Sequence, residues 1–163
     1  MFIRIKSLML VALPNWLEIL TLAALPVSEI RGALPLGLLV YDMPFWSVYL
    51  LGVVGNTIPA CALLFGFRAI DRRLNPQGAF SKFLGWFRSR AERKLQSSYD
   101  LYGAIALFIF TAIPLPFTGA WTASVAAVAF RVSPKKALLA IFFGVCVAGA
   151  LVALIVGGAE RVF

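Results

Sequence analysis

The longest stretch of the chain without a charged side chain is residues 101–130, LYGAIALFIFTAIPLPFTGAWTASVAAVAF. About 20 helical residues cross a hydrocarbon core of about 30 Å, so this stretch is too long for one straight span and too short for two. The sequence PLPFTG at residues 114–119 interrupts it near the middle, and prolines do not continue a regular helix. We therefore predict a re-entrant hairpin, with two helical arms joined by irregular backbone inside the protein.

A second stretch, residues 16–41, has similar dimensions. Its centre is PVSEIRG at residues 26–32, with apolar arms on both sides. Each predicted hairpin is followed by an uncharged run of 23 residues, 45–67 and 137–159, and both runs are long enough to cross a membrane. Pro59 removes one helical hydrogen bond in the first run and permits a kink there.

The two halves of the sequence align with one another. The aligned markers are Leu25-Pro26 with Ile113-Pro114, Gly32-Ala33 with Gly119-Ala120, and Pro44 with Pro134. Basic residues follow the first predicted span and precede the second, and both clusters are cytoplasmic only if the two repeats have opposite orientations. The predicted fold is an all-α integral membrane protein, an inverted repeat of a re-entrant hairpin and a transmembrane helix, joined by a basic amphipathic cytoplasmic loop.

Composition supports a membrane protein. The residues are 61% hydrophobic and 13% charged, and the mean hydropathy is +0.91. The formal net charge is +8. Most basic residues lie between apolar runs, which favours a membrane surface with anionic lipid headgroups over nucleic acid as the partner. The loop carries eight basic residues against two acidic ones: Arg68, Arg72, Arg73, Lys82, Arg88, Arg90, Arg93 and Lys94 against Asp71 and Glu92.

The predicted organisation is one membrane domain with four parts. An N-terminal segment covers residues 1–15, the first repeat 16–67, the basic linker 68–99 and the second repeat 100–159. We predict a multi-pass protein of the inner (plasma) membrane with the linker in the cytoplasm. Arg4 and Lys6 favour a cytoplasmic N-terminus, which conflicts with a first hairpin that enters from outside. A span over residues 5–25 is the alternative, and a secretory signal is a weaker one because Pro14 and Glu18 interrupt its apolar region.

The residue types exclude several kinds of site. Cys61 and Cys146 each lie inside a long apolar run, and the chain has no histidine, so we expect neither a disulfide framework nor a Cys/His metal site. With no paired carboxylates and no Gly-x-Ser-x-Gly motif, we predict that the protein is not an enzyme and uses no cofactor.

Glu29 and Arg31 are the charged residues least expected from their surroundings, because both lie in a predicted membrane-embedded segment. Arg31 suits an anionic group such as a phosphate, aided by the positive end of a half-helix beginning near Gly32. Glu29 suits reversible proton binding in a poorly hydrated site. The structural alternative is that the two side chains contact one another or satisfy the free carbonyls of their own hairpin.

Four polar residues complete the predicted substrate and proton site. Thr118, Trp121 and Thr122 follow the proline break of the second hairpin, where main-chain groups lack helical partners. Asn56 lies inside the first span, where an amide either bonds to a neighbouring helix or lines a cavity. Trp121 is equally consistent with an interfacial anchor or simple packing.

The last predicted helix has small residues at intervals of four. They are Ala140, Gly144 and Ala148 on one face, and Gly149, Ala153 and Gly157 on another. Such faces permit close helix approach, which serves either a homo-oligomer or packing within the chain.

Three motifs resemble the family of small multidrug export proteins: PVSEIRGALPLG at residues 26–37, GNTIP at 55–59 and IPLPFTGAWT at 113–122. The resemblance covers residues 16–158. Phe117 and Ala123 depart from it, because relatives commonly have glycine at both positions. The family is similar in its re-entrant layout to the DedA superfamily, and that likeness implies an inverted-repeat transporter that moves lipids such as polyprenyl-phosphate carriers with the proton-motive force.

Three functions remain open at this point. The first is transport of an anionic amphiphile, either a phospholipid or a polyprenyl phosphate, with proton coupling. The second is export of lipophilic cations, for which Glu29 and Trp121 would supply a carboxylate and an aromatic ring. The third is a non-transporting membrane scaffold that uses the basic linker.

Overall fold

The structure is a computed structural model that describes residues 13–71, 96–115 and 118–159. Within these ranges the chain is all-helical, as predicted. The helices are α1 (Asn15–Ala24), α2 (Glu29–Pro35), α3 (Phe45–Asp71), α4 (Gln96–Ala112), α5 (Ala120–Ala129) and α6 (Pro134–Ala159). A π-helical turn, Leu36–Val40, extends α2 beyond Pro35.

Within the described ranges, two helices are long and apolar enough to cross a membrane, and they correspond to the two predicted spans. They cover Phe45–Phe67 in α3 and Pro134–Gly158 in α6. Fewer than half of the residues in each are buried inside the protein, so a large part of their apolar surface faces outward. Helix α3 continues through Pro59.

The shorter helices form two pairs, and a break separates the members of each pair. The first pair is α1 and α2, and the first break is residues 25–28 between them. The second pair is α4, which ends at Ala112, and α5, which begins at Ala120; the second break is the interval between these two ends, of which residues 113–115, 118 and 119 are described. The predicted interruption of both apolar stretches is confirmed. Their re-entrant placement in a membrane and the inverted orientation of the two halves stay predictions.

The predicted centre of the first hairpin is wrong in its extent. Helix α2 begins at Glu29 rather than near Gly32, because the N–H of Gly32 already donates to the carbonyl of Ser28. The break itself is held by the Ser28 hydroxyl, which donates to the Leu22 carbonyl. Arg31 therefore projects from the first turn of a helix, and Glu29 is the first residue of that helix, with a φ of 48°.

The core lies around α3, against which α1, α2, α5 and α6 pack, while α4 packs mainly on α6. The small residues of α6 serve these contacts. A Cβ at Gly144 would lie 2.6 Å from the Cβ of Thr111 in α4, and one at Gly149 would lie 2.8 Å from Cδ1 of Ile30 in α2. Both close approaches are made within the chain, as one of the two alternatives for these residues predicted.

Several predictions fall on residues outside the described ranges. Most of the basic linker, the N-terminal residues 1–12, and Phe117 belong to this group. Helix α3 extends to Asp71 and α4 begins at Gln96, so both helices reach into the segment predicted as linker. The sidedness of the linker stays a prediction.

Candidate functional site at the contact between the two breaks

Arg31 reaches from the first helical pair into the second break. Its guanidinium donates hydrogen bonds to the carbonyl of Ile113, at 3.1 Å, to the carbonyl of Leu115, and to the hydroxyl oxygen of Thr118, at 3.1 Å. These carbonyls follow the last turn of α4, where main-chain acceptors lack helical partners. Both carbonyls also accept a main-chain N–H, from Leu115 and Thr118 respectively, so Arg31 adds charge-assisted hydrogen bonds to acceptors that the second break already uses in part.

Thr118 links these acceptors to one another. Its hydroxyl accepts from Arg31 and donates within the break to the Ile113 carbonyl, at 2.9 Å, or to the Leu115 carbonyl, at 2.8 Å. A hydroxyl both accepts and donates, so it suits a position between a cation and a carbonyl. The second break is therefore closed by its own threonine and by the arginine of the first pair together.

Glu29 makes the complementary contact with the other end of the second break. Its side chain is only 5% exposed, and its carboxylate accepts hydrogen bonds from the main-chain N–H groups of Ala120 and Trp121 and from the side chain of Asn56. Helix α5 begins at Ala120, and Gly119 supplies no side-chain cap. The carboxylate from α2 acts as that cap, at the positive end of the helix dipole.

The approach of Glu29 requires glycine at position 119. A Cβ placed there would lie 1.9 Å from the carboxylate oxygen Oε2, far inside contact distance, and the backbone has φ +155°. Glu29 itself has a φ of 48°, a left-handed conformation that costs a non-glycine residue on the order of 1 kcal/mol. The contact of the carboxylate with α5 therefore needs a left-handed backbone at Glu29 and a residue without a Cβ at position 119.

Trp121 makes a contact in the opposite direction. Its indole Nε1–H donates to the carbonyl of Ala24, at 3.0 Å. Ala24 is the last residue of α1, so this carbonyl is one of the acceptors that the first break leaves free. Each helical pair therefore satisfies main-chain groups of the other.

Asn56 approaches the same place from α3. Its side chain is 1% exposed, and its amide bonds to Glu29. The amide oxygen Oδ1 is buried and finds no hydrogen-bond partner among the described residues, and the same holds for Nε of Arg31. The site thus retains one acceptor and one donor that its own closed arrangement does not satisfy.

Five of the six predicted site residues meet at this contact: Glu29, Arg31, Asn56, Thr118 and Trp121. Thr122 does not join them. Its side chain is exposed, and its hydroxyl bonds to the carbonyl of Gly119 in its own turn, at 3.3 Å. One structural alternative was that Glu29 and Arg31 satisfy main-chain groups of their own hairpin. In the structure their side chains bond to main-chain groups of the other helical pair instead.

Sequence reasoning missed two residues that shape the site. Gly119 permits the approach of Glu29, and Ser28 closes the first break. The glycine is visible in the sequence as the end of the PLPFTG motif, but its neighbour across the fold is not. Nothing local distinguishes Ser28 from an ordinary turn serine.

The geometry can now be compared with known proteins. The model of the family described as "Putative small multi-drug export protein" matches residues 29–151. The chain belongs to this family. The match begins at Glu29 and contains all six predicted site residues, and together with the two long apolar helices it identifies a membrane protein. Neither a curated protein nor a solved structure matches the chain.

Family membership narrows the class of function. The family description points to export of small molecules rather than catalysis. In the structure of this family member, hydrogen-bond donors surround the Glu29 carboxylate on two sides, with the guanidinium charge of Arg31 acting on it from the same helix. Such a cluster of main-chain amides and a guanidinium recognises an anion, and here a carboxyl side chain of the protein occupies it.

Proposed function

We propose that the protein transports an anionic amphiphile, a phospholipid or a polyprenyl phosphate, through the contact between the two breaks. One observation carries this proposal: the carboxylate of Glu29 occupies the N-terminal end of α5 beside Arg31. Helix N-termini and guanidinium groups bind phosphate oxygens as readily as carboxylate oxygens. The carboxylate holds the position that the anionic headgroup of the substrate takes during transport.

Proton coupling follows if the Glu29 carboxylate and the substrate phosphate take turns at this position. A carboxylate accepts the hydrogen bonds of Ala120 and Trp121, whereas a protonated carboxyl is a poorer acceptor and carries no charge to balance Arg31. Uptake of one proton by Glu29 frees the two amides and the Arg31 charge for a substrate phosphate. Loss of the proton restores the carboxylate, which then displaces the phosphate. One proton and one anionic headgroup thus exchange at the same donors.

The contact also supplies a barrier between the two sides of the membrane. Arg31 connects the first pair to the second break, and Trp121 connects the second pair to the end of α1. Breaking either connection removes a hydrogen bond from a main-chain acceptor and leaves its donor without that partner, which is costly away from water. A headgroup and its water replace these connections as the substrate passes, and the connections reform behind it.

A second candidate is proton-coupled export of a lipophilic cation. The family description favours it, and so does a buried carboxylate next to Trp121, because a cation and a proton would compete for Glu29. The Arg31 charge beside Glu29 opposes the binding of a second cation. We therefore place this candidate after the anionic amphiphile.

Flux measurements in proteoliposomes test the proposal. Wild-type vesicles with an imposed pH gradient are expected to move a fluorescent anionic phospholipid or a short polyprenyl phosphate faster than protein-free vesicles. Arg31→Gln removes charge-assisted hydrogen bonds worth about 1.5–3 kcal/mol, so it is expected to reduce flux roughly tenfold to hundredfold. Glu29→Gln is expected to abolish the dependence of flux on pH.

The matched control is Lys135→Gln, which removes a positive charge from an exposed position on α6. Its flux should equal that of the wild type, and all variants must show an unchanged elution profile and unfolding temperature in detergent. Movement of tetraphenylphosphonium, without movement of either anionic probe, would contradict the first proposal and support cation export. Flux of neither probe, combined with loss of cellular function when Arg88, Arg90, Arg93 and Lys94 are neutralised, would favour the scaffold instead.

A further inference from the structure

The unsatisfied amide oxygen of Asn56 has no role in the proposed exchange of a proton and a headgroup. Asn56 is in the middle of α3, 1% exposed, and its amide contacts the Glu29 carboxylate. A carboxylate has acceptors only, so it engages the amide nitrogen of Asn56 and offers nothing to Oδ1. This explains why Oδ1 is buried without a partner among the described residues.

A proton on Glu29 changes this balance. The protonated carboxyl has one O–H donor and one carbonyl acceptor, while a primary amide has an oxygen acceptor and N–H donors on the same planar group. The two groups are therefore complementary side by side, with O–H donating to Oδ1 and the amide nitrogen donating to the carboxyl oxygen. The protonated pair makes two hydrogen bonds where the ionised pair makes one.

We propose that Asn56 is a positioning residue that holds Glu29 in its protonated form, so that the proton moves the carboxyl from α5 to α3. This inference rests on the proposed function, since it assumes that Glu29 binds the coupled proton. The proton comes from water on one side of the membrane, bonds to a carboxyl oxygen, and returns to water on the other side. An O–H bond of hydronium breaks as the O–H bond of Glu29 forms, the reverse occurs on release to a water molecule, and no bond between heavy atoms changes.

The surroundings of Glu29 give the proton few competing positions. The charged group that acts on Glu29 is Arg31 of the same helix, while α5 contributes two main-chain N–H groups and α3 contributes Asn56. Helix α6 approaches α2 through Gly149, against the apolar side chain of Ile30. Among these groups, Oδ1 of Asn56 is the acceptor without a partner, so it is the natural partner for a new O–H donor.

Helices α5 and α3 therefore bind different protonation states of Glu29. The ionised carboxylate caps α5, and the protonated carboxyl pairs with Asn56 on α3. When the carboxyl pairs with Asn56, the N–H groups of Ala120 and Trp121 become free for the substrate. Asn56 thereby stabilises the substrate-accepting state of the site without touching the substrate.

Infrared difference spectroscopy of the purified protein in lipid nanodiscs tests this role apart from transport. A protonated carboxyl gives a C=O stretching band that Glu29→Gln should remove. We expect Asn56→Leu to shift this band to higher frequency, since the hydrogen bond from the carboxyl to the amide is lost. Thr111→Val is the matched control: Thr111 is also a 1% exposed polar residue, but its hydroxyl bonds to Leu107 in its own helix. The band should be unchanged in that variant.

Asn56→Asp provides a second test that keeps the size of the side chain. Two adjacent carboxyls cannot both ionise readily, so the pair should retain its shared proton, and the band, to higher pH than the wild type does. If Asn56→Leu leaves the band in place, or Asn56→Asp leaves its pH dependence unchanged, the role of Asn56 is wrong while proton binding by Glu29 stands. If Glu29→Gln removes no band at any pH at which the protein is folded, both this inference and proton coupling fail. Absence of lipid flux would remove the proposed substrate alone.

Discussion

The two helical pairs contribute different chemistry to the same contact. The first pair supplies charged side chains, Glu29 and Arg31, whereas the second break supplies mainly main-chain groups, the carbonyls of Ile113 and Leu115 and the N–H groups that begin α5. The two halves share a helix-break-helix pattern, yet they are complementary rather than equivalent. Two segments with the same helix-break-helix pattern can thus form one asymmetric site. The first segment contributes charged side chains, and the second contributes main-chain groups.

The breaks do share one device. Ser28 closes the first break and Thr118 closes the second, in each case by donating a hydroxyl proton to a carbonyl at the end of the preceding helix. A hydroxyl of this kind binds a nearby carbonyl locally, and in the second break Arg31 binds the same Ile113 carbonyl as well. The difference between the breaks therefore lies in the charged residues and in Gly119, and substitutions at these positions should separate the two regions most clearly.

The largest effect is expected for Gly119→Ala. The new Cβ would lie 1.9 Å from the Glu29 carboxylate, so either the carboxylate loses its place at α5 or the break moves, at a cost of about 3 kcal/mol. Thermal unfolding in detergent measures this. Gly66→Ala in α3 is the control, because no atom of the described residues lies within 4 Å of a Cβ there. Equal unfolding temperatures for the two variants would show that the second break does not depend on Glu29.

A smaller effect is expected for Trp121→Phe, which removes the indole N–H but keeps an aromatic ring. The Ala24 carbonyl loses its donor from the second pair, and hydrogen bonds between membrane helices contribute about 0.6 kcal/mol on average and up to about 1.7 kcal/mol. Trp16→Phe is the control, because Trp16 lies on α1 with 51% of its surface exposed. Reversible unfolding in mixed micelles compares the two free energies. Equal losses would mean that the reciprocal contact of Trp121 adds no stability.

The smallest and most selective difference is expected between two threonines of the second pair. Thr118→Val removes the acceptor for Arg31 and the donor that closes the break, so a loss of about 1 kcal/mol is expected. Thr122→Val removes only a bond within an exposed turn, and a change within about 0.5 kcal/mol is expected. The same micelle unfolding assay measures both. A larger loss of unfolding free energy for Thr122→Val than for Thr118→Val would contradict the assignment of the stabilising hydroxyl to Thr118.

Sequence alone predicted the parts of the fold that depend on local composition. The two spans follow from uncharged length, and the second break follows from Pro114 and Pro116, because these properties act over one segment. The start of α2 was placed too late because the hydrogen bond from the N–H of Gly32 to the carbonyl of Ser28 cannot be read from residue types. The breaks were found as interruptions, but helix ends depend on hydrogen bonds that hydropathy does not record.

The site was predicted as a set of residues but not as an arrangement. Buried charge identified Glu29 and Arg31, and position after a proline break identified Thr118 and Trp121. What the sequence could not show is the partner of each group, since Arg31 and the Leu115 carbonyl are 84 residues apart in the chain. Thr122 was included because spacing along α5 does not reveal which side of that helix faces Glu29.

The cap of α5 has a consequence for the order in which the protein is made. Glu29 and Arg31 are synthesised before residues 113–121, which supply the partners of Arg31 and two of the donors to Glu29. The second half in turn contains a helix whose N-terminal cap was synthesised earlier. Neither half can complete its hydrogen bonding by itself, so these bonds form only when the second pair packs onto α2 and α3. The two halves are interdependent during biogenesis, although each has the outline of a separate unit.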